Sequence, residues 1–210
     1  MTESLTMGFY EDRLLPRLID RVLSTGECIK YRKRVVQGLH GTVLEVGFGS
    51  GLNLPYYPED VQRVHAVDPS ELGRRMAEDR ICECHAHVEY AGLDGARLEL
   101  PDDSVDAVLS TWTLCTIPEV DCALEEMRRV LKPGGALHFL EHGRSSDAGV
   151  ARWQDRIDRA WGVFSGGCHL NRSIDSLVED AGFRVEALDN FEMRGPRVFT
   201  YMYQGRAIAP

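Results

Sequence analysis

A glycine-rich turn directly after a short apolar segment constrains the fold of this chain more than any other feature. The segment reads TVLEVGFGSG and contains Gly47, Gly49 and Gly51. Glycine lets the backbone turn sharply at the carboxyl end of a strand and approach a ligand without interference from a side chain. The next apolar segment, RVHAVDPS, places Asp68 at its end, where a carboxylate can bind a ribose diol. The pattern predicts a ribose-containing ligand at one edge of a parallel sheet.

Strand and helix patterns alternate along the rest of the chain. HVEYAG, VDAVLST and GALHFLE are predicted strands, and ELGRRMAEDRICE and VDCALEEMRRVL are predicted helices between them. The last third predicts a helix over residues 147–163, a glycine-rich turn over 165–168, a helix RSIDSLVEDAG, and two strands, FRVEALDNFE and RVFTYMYQGRAI. We therefore expect an α/β, Rossmann-like, mostly parallel seven-stranded sheet with helices on both faces and a C-terminal antiparallel hairpin.

The composition excludes several classes of function. The formal net charge is −9 and no basic stripe is present, which argues against a nucleic-acid substrate. No apolar run approaches the roughly 18 residues of a membrane-spanning helix, and the first residues do not resemble a secretory signal. We expect a cytoplasmic protein without an integral membrane segment, as a monomer or homodimer. Its six cysteines show no C-x-x-C pair, so they are interpreted as reduced thiols, and no metal site is expected.

Residues beside the glycines distinguish between two cofactors that carry a ribose, NAD and S-adenosyl-L-methionine (SAM). Glu45, two residues before Gly47, would repel a pyrophosphate but can help to orient the cationic methionine end of SAM. The segment LDGARLELPDDSVDAVLS resembles the adenine-binding segment of SAM-dependent methyltransferases, with Asp94 and Gly95 at the binding positions. The helix, Pro-Gly-Gly turn and strand in EEMRRVLKPGGALHFLE resemble the same class. The other predicted cofactor-binding residues are Asn53, Pro69 and Thr111.

Four further segments narrow the resemblance: TWTLCTIP, FLEH, RWQDRIDRAW and GGCHLNR. They resemble bacterial relatives of the microsomal alkyl-thiol methyltransferase-like family, which have a type 11 methyltransferase domain of class I. We expect no N-terminal membrane anchor like that of the mammalian members, and the sequence also departs from them in having Phe48 in place of Cys and His169 in place of a second Cys. The matching residues are Thr111, Leu114, Cys115, Glu141, His142, Trp153, Gln154, Trp161, Gly167, Cys168, Leu170 and Arg172.

The resemblance implies methyl transfer from SAM to a small molecule, such as an alkyl or aryl thiol, with S-adenosyl-L-homocysteine as the second product. A quinone, phenol or phospholipid-type acceptor, a non-catalytic SAM-binding module, and an NAD-binding protein are the alternatives. We expect a single domain, with residues 1–40 as an N-terminal helical cap, 41–145 as the SAM-binding core, and 146–210 as the substrate-side helices and terminal hairpin. In the cap, FYEDRLLPRLIDRVL and ECIKYRKRVVQGL are predicted helices separated by Gly26.

The candidate catalytic residues are His142 and His169, because histidine titrates near neutral pH and can accept a proton from an acceptor that arrives protonated. Each can equally be a structural histidine. The candidate substrate residues are Trp112, Trp153 and Trp161, as walls of an apolar pocket, and Arg172, as a partner for an anionic group. Their alternatives are core packing and a structural ion pair. Cys115 and Cys168 are interpreted as small packing residues.

Overall fold

The computed structural model describes residues 14–210 and contains the predicted seven-stranded sheet. The start of the predicted first helix lies outside the described residues. The strands are β1 Gly41–Val46, β2 Val61–Val67, β3 His87–Gly92, β4 Val105–Thr111, β5 Leu131–His142, β6 Arg184–Glu192 and β7 Tyr201–Ile208. The helices are α1 Leu15–Leu23, α2 Gly26–Val35, α3 Glu71–Glu83, α4 Val120–Val130, α5 Ala148–Phe164 and α6 Ile174–Asp180, with short 3-10 turns at Leu54–Tyr56 and Arg197–Phe199.

The strand order is β3-β2-β1-β4-β5-β7-β6. The first five strands are parallel, and β7 pairs antiparallel with both β5 and β6, as the predicted hairpin requires. Between β1 and β4 the sheet changes the direction in which successive strands are added, and here Val46 lies opposite Ser110. Such a reversal opens a crevice at the carboxyl ends of the strands, and open α/β sheets bind their ligands there. The glycine turn after β1 lies at this point.

Two apolar layers cover the two faces of the sheet, because alternate residues of a strand point to opposite sides. On β1, Leu44 and Val46 pack with the buried face of α4, whereas Val43 packs with α2 residues such as Val35. Both layers are closed to solvent; Leu44 and Val43 are fully buried. The predicted helices on both faces are therefore present, and the sheet edge between them carries the polar groups described below.

Two local predictions were wrong. Gly26 begins α2 and does not separate the cap helices; the break lies at Ser24 and Thr25. The Pro-Gly-Gly segment lies inside β5 as a bulge, since Val105 pairs with Leu131 and Ala107 pairs with Ala136. The extra residues loop out, and the strand continues the sheet on both sides of them. No helix within residues 14–210 is long and apolar enough to cross a membrane.

Candidate active site

A hydrogen bond joins the glycine turn to Asp68 at the carboxyl edge of β1 and β2. Gly47, Gly49 and Gly51 have φ angles of 77°, 54° and 74°, which favour glycine. The Asp68 carboxylate accepts hydrogen bonds from the Gly49 N–H and the Ser70 N–H, both at 2.8 Å. Burial raises the pKa of Asp68, and these two hydrogen bonds oppose that rise. The carboxylate is therefore fixed beside the turn, and each oxygen retains a free lone pair.

A buried polar network lies beneath the turn. The Glu45 carboxylate accepts hydrogen bonds from Asn53 Nδ2, at 2.8 Å, and from the Tyr57 hydroxyl. Asn53 Nδ2 also donates to Thr111 Oγ1 at 3.0 Å, and Arg32 Nη1 donates to Asn53 Oδ1 at 2.7 Å. Burial raises the pKa of Glu45 to about 7, although the hydrogen bonds from Tyr57 and Asn53 and the charge of Arg32 lower it. The network places the Glu45 carboxyl group and the Arg32 guanidinium beside a ligand cavity.

The raised pKa of Glu45 makes the stability of the protein depend on pH. An unfolded Glu titrates near pH 4.3, so between there and pH 7 the native state binds more protons than the unfolded chain. This contribution to the free energy of unfolding is fully present below pH 4 and is lost as pH rises through 7. We expect Glu45→Gln to gain about 2 kcal/mol relative to wild type between pH 5 and pH 8. Urea unfolding at both pH values measures the difference.

The control for this experiment is Glu99→Gln, because Glu99 is an exposed residue of the same type. Its substitution measures the effect of exchanging Glu for Gln outside the buried network. A Glu45→Gln difference from wild type that is the same at pH 5 and pH 8 contradicts the raised pKa.

A cavity of about 530 Å³ opens above the turn and this network. Most of the predicted cofactor residues line it, namely Glu45, Gly47, Gly49, Asn53, Asp68, Pro69, Asp94, Gly95 and Thr111. Gly51 does not line it; its N–H donates to the Phe48 carbonyl oxygen within the turn, and a Cβ at this position would lie 3.0 Å from Leu54 Cδ1. Asp94 and Gly95 lie beside the apolar side chains of Leu93, Ile117 and Pro118, which suits a flat aromatic ring.

The polar groups of this cavity fit SAM better than a dinucleotide. Glu45 and Asp68 flank the turn, and two carboxylates would repel a pyrophosphate. The Nε of Arg32 is buried and has no hydrogen-bond partner in the described part of the chain. Arg32 lines this cavity, and the positive charge of its guanidinium suits the carboxylate of an amino-acid group. The cavity therefore offers partners for a ribose, an adenine and a zwitterionic amino acid.

A second, more apolar cavity of about 380 Å³ adjoins the first, and we call it the acceptor chamber. Both cavities share lining residues, including Leu15, Trp112 and Thr116. The apolar walls of the chamber come mainly from α1, α5 and the segment before β7. They include Leu18, Val22, Trp161, Phe164, Phe199 and Met202. A ligand in the chamber would therefore meet a ligand in the first cavity beside Trp112.

Three sulfur and nitrogen side chains meet in the wall of the chamber: Cys115, His142 and Cys168. The His142 Nδ1 lies 3.6 Å from the Cys168 sulfur. The Cys115 thiol donates to the same sulfur, and this contact and the adjacent His142 ring lower the pKa of Cys168 to about 5 although burial raises it. The contact with Cys168 and burial raise the pKa of Cys115. The interpretation of both cysteines as packing residues missed this cluster.

Three of the predicted catalytic and substrate residues lie outside both cavities. Trp153 is 57% exposed and lines a separate surface depression with Arg156 and Arg197. His169 lies beside Asp158, with its Nδ1 2.9 Å from that carboxylate, and its side chain is 42% exposed. These two residues are therefore poorly placed for the roles predicted from sequence.

Arg172, the third of these residues, makes structural contacts. Its guanidinium donates to the carbonyl oxygens of Leu114 and Ile117, and these bonds hold the loop after β4. It lines neither the cofactor cavity nor the acceptor chamber. Trp112, Trp161 and His142, which the sequence offered as substrate or catalytic residues, line the chamber.

Sequence reasoning also missed Arg32 and Tyr57. Arg32 lies on the buried stripe of α2 with Cys28 and Val35, and it is only 3% exposed. The sequence did contain a signal for Arg32, because it is a charged residue at a core position of an amphipathic helix. Tyr57 follows a Leu-Pro-Tyr turn, and no spacing rule links it to Glu45. Its position depends on the folded loop.

Comparison with known proteins places these features in a family. Residues 44–139 match the model described as a methyltransferase domain. Human thiol S-methyltransferase TMT1A is 33% identical over 172 residues, which cover 76% of this chain and 69% of that protein. TMT1B of Rattus norvegicus is 35% identical over 154 residues, which cover 70% of this chain and 62% of that protein. A SAM-dependent methyltransferase from Aquifex aeolicus shares the fold, with a TM-score of 0.65, 24% identity, and coverage of 93% and 98%.

Proposed function

The chain belongs to the family of SAM-dependent methyltransferases that includes thiol S-methyltransferase TMT1A, and we propose that it methylates a small apolar thiol. The observation that carries this proposal is the junction of two cavities. One is lined by glycines and carboxylates, and the other is walled by apolar side chains and contains Cys115, His142 and Cys168. A methyl donor in the first cavity and a soft acceptor in the second would meet beside Trp112.

We assign the cofactor contacts from the lining of the first cavity. Asp68 binds the ribose diol, and Asp94 and Gly95 bind the adenine. The methionine end lies against the network of Glu45, Asn53 and Thr111, where Arg32 supplies the positive charge for its carboxylate. The loop of Gly47, Gly49 and Gly51 after β1, together with Pro69 after β2, shapes the site. When bound, SAM supplies a methyl group that is activated for nucleophilic attack by its attachment to a sulfonium sulfur.

The protein acts on the acceptor chiefly through position and removal of water. A thiol has a pKa near 8.5 and is partly ionised at neutral pH, so a dry, well-aligned site can supply most of the rate enhancement. Of the two predicted catalytic histidines, His142 lies in the chamber wall and His169 does not. We therefore retain His142 as the catalytic candidate.

We propose that α1 and α2 act as the cap of a single domain. Leu15 and Ile19 of α1 line both cavities, and Arg32 of α2 reaches the cofactor network. Closure of these helices would exclude water from the junction. We place the protein in the cytoplasm, and the six free cysteines support a reducing compartment.

The tryptophans of α5 test the location of the acceptor. Trp161 lines the chamber and stacks on Phe199 with ring centroids 4.4 Å apart, whereas Trp153 lies on the exposed face of the same helix. We expect Trp161→Ala to raise the KM for an apolar thiol about tenfold or more, because an apolar contact surface is lost. Trp153→Ala should change the KM less than about twofold. Steady-state kinetics at saturating SAM measure both, and equal effects contradict the assignment.

The proposed function is tested by titration followed by turnover in one preparation. Calorimetry with SAM, S-adenosylhomocysteine and NADH should give saturable binding of the first two compounds alone. Methyl transfer should then be measured with an alkyl thiol, a phenol, a quinol and a phospholipid. Methylation of the thiol supports the proposal. Methylation of another acceptor, or cofactor binding without any product, rejects the thiol assignment.

A further inference from the structure

Cys115, His142 and Cys168 come from three separate parts of the fold. Cys115 lies in the loop after β4, His142 ends β5, and Cys168 follows the turn after α5. Their two sulfur atoms and a ring nitrogen all lie within 4.8 Å of one another. Cys115 is 2% exposed and His142 is 5% exposed. These are the three residues of the described chain that meet as a candidate metal-ligand set.

The distance between the Cys168 sulfur and the His142 ring nitrogen matches a tetrahedral zinc site. Zinc lies about 2.3 Å from a thiolate sulfur and about 2.0 Å from an imidazole nitrogen, so a tetrahedral angle places the two ligand atoms about 3.5 Å apart. The distance from Cys168 Sγ to His142 Nδ1 is 3.6 Å. Thiolate and imidazole are also the ligand types that select zinc over magnesium or calcium. The cluster therefore has suitable geometry and suitable chemistry.

We propose that Cys115 Sγ, His142 Nδ1 and Cys168 Sγ bind one zinc ion, and that the fourth coordination position faces the acceptor chamber. All three residues line that chamber, so the ion would be open on that side. Two thiolates and a neutral imidazole around Zn²⁺ have no net charge, which suits walls as apolar as these. Three protein ligands with one open position are typical of zinc sites that bind a substrate.

The role of the ion rests on the proposed function. An acceptor thiol, R–SH, that coordinates at the open position releases its proton to solvent and becomes a zinc-bound thiolate. The thiolate sulfur then forms a bond to the methyl carbon of SAM. The bond from that carbon to the sulfonium sulfur breaks, and its electron pair remains on S-adenosylhomocysteine. The product, R–S–CH₃, is a neutral thioether and a weaker ligand, so it leaves the metal.

Titration of the metal-free, reduced full chain with Co²⁺ tests the site without reference to turnover. We expect one Co²⁺ per chain, a thiolate-to-cobalt charge-transfer absorption, and displacement by an equivalent of Zn²⁺. Cys115→Ser, Cys168→Ser and His142→Ala should each weaken binding about 100-fold or more, since each removes a ligand. Cys28→Ser and His169→Ala are matched controls. Cys28 lines the same chamber outside the cluster, and His169 is adjacent to Cys168 but outside the chamber.

Each result decides the proposal. The proposal is overturned if Co²⁺ binds without the charge-transfer absorption, if the ligand variants retain Co²⁺ binding, or if the control variants lose it equally. A Cys115–Cys168 disulfide that forms in air, with no Co²⁺ bound by the reduced chain, overturns it as well. SAM affinity measured on each variant shows whether it is folded. Stoichiometric Co²⁺ binding in a protein that methylates no thiol supports the zinc site and rejects only the proposed function.

Discussion

Asp68→Ala is expected to weaken SAM binding by about 10- to 150-fold, the equivalent of losing charge-assisted hydrogen bonds worth 1.5–3 kcal/mol. The Asp68 carboxylate is fixed by the N–H groups of Gly49 and Ser70 and lines the cofactor cavity. Under the proposed assignment, its removal leaves the ribose diol without its acceptor. It also releases the glycine turn from the end of β2. Both effects act on the same ligand, and calorimetric titration with SAM measures their sum.

Asp94→Ala provides the comparison. Asp94 lines the same cavity but is exposed, and its carboxylate accepts a hydrogen bond from the nearby Ala96 N–H. Because water competes at an exposed site, we expect a loss of less than about tenfold. If SAM affinity is unchanged in Asp68→Ala, the ribose assignment is wrong. If Asp94→Ala weakens SAM binding more than Asp68→Ala does, Asp94 is the more important carboxylate for SAM binding and our ranking of the two is wrong.

The sequence was sufficient to predict the sheet and the cofactor edge because their signals are local. The positive φ angles at Gly47 and Gly49 require glycine, and Asp68 directly follows the very next strand. Parallel strands bring such neighbours to one edge, so a motif of about 25 residues determines the geometry. The antiparallel hairpin also follows from consecutive strands with no helix between them. Each of these inferences depends on short-range pattern alone.

The acceptor side could not be predicted in the same way because its residues come from distant segments. Cys115 and Cys168 meet only because the loop after β4 and the turn after α5 converge, and no spacing rule links them. The two tryptophans of α5 show a related difficulty. Trp153 and Trp161 are eight residues apart and so lie about 80° apart around the helix, which is enough to separate an exposed side from the chamber. The sequence pattern could not show which of them faces the ligand.

Gly47→Ala and Gly49→Ala are expected to separate the structural role of the turn from its binding role. Gly47 has a φ of 77°, and a Cβ there would lie 1.8 Å from Thr113 Oγ1 and 2.6 Å from Thr113 Cβ. The Thr113 side chain cannot simply rotate away, since its own Cβ takes part in the clash. We expect Gly47→Ala to lower the free energy of unfolding by about 3 kcal/mol or more, from backbone strain and overpacking together. Urea unfolding without ligand measures this loss.

Gly49→Ala should behave differently because a Cβ at this position meets no protein atom closer than 4.0 Å. Its φ of 54° still carries strain, so the free energy of unfolding should fall by only about 1–2 kcal/mol. Gly49 lines the cofactor cavity, and the added methyl would occupy space that opens to the ligand. We therefore expect SAM affinity to fall about tenfold or more, a larger effect on binding than the small loss of stability would suggest. A stable Gly49→Ala variant that binds SAM as tightly as wild type would show that the ligand does not approach the backbone at this glycine.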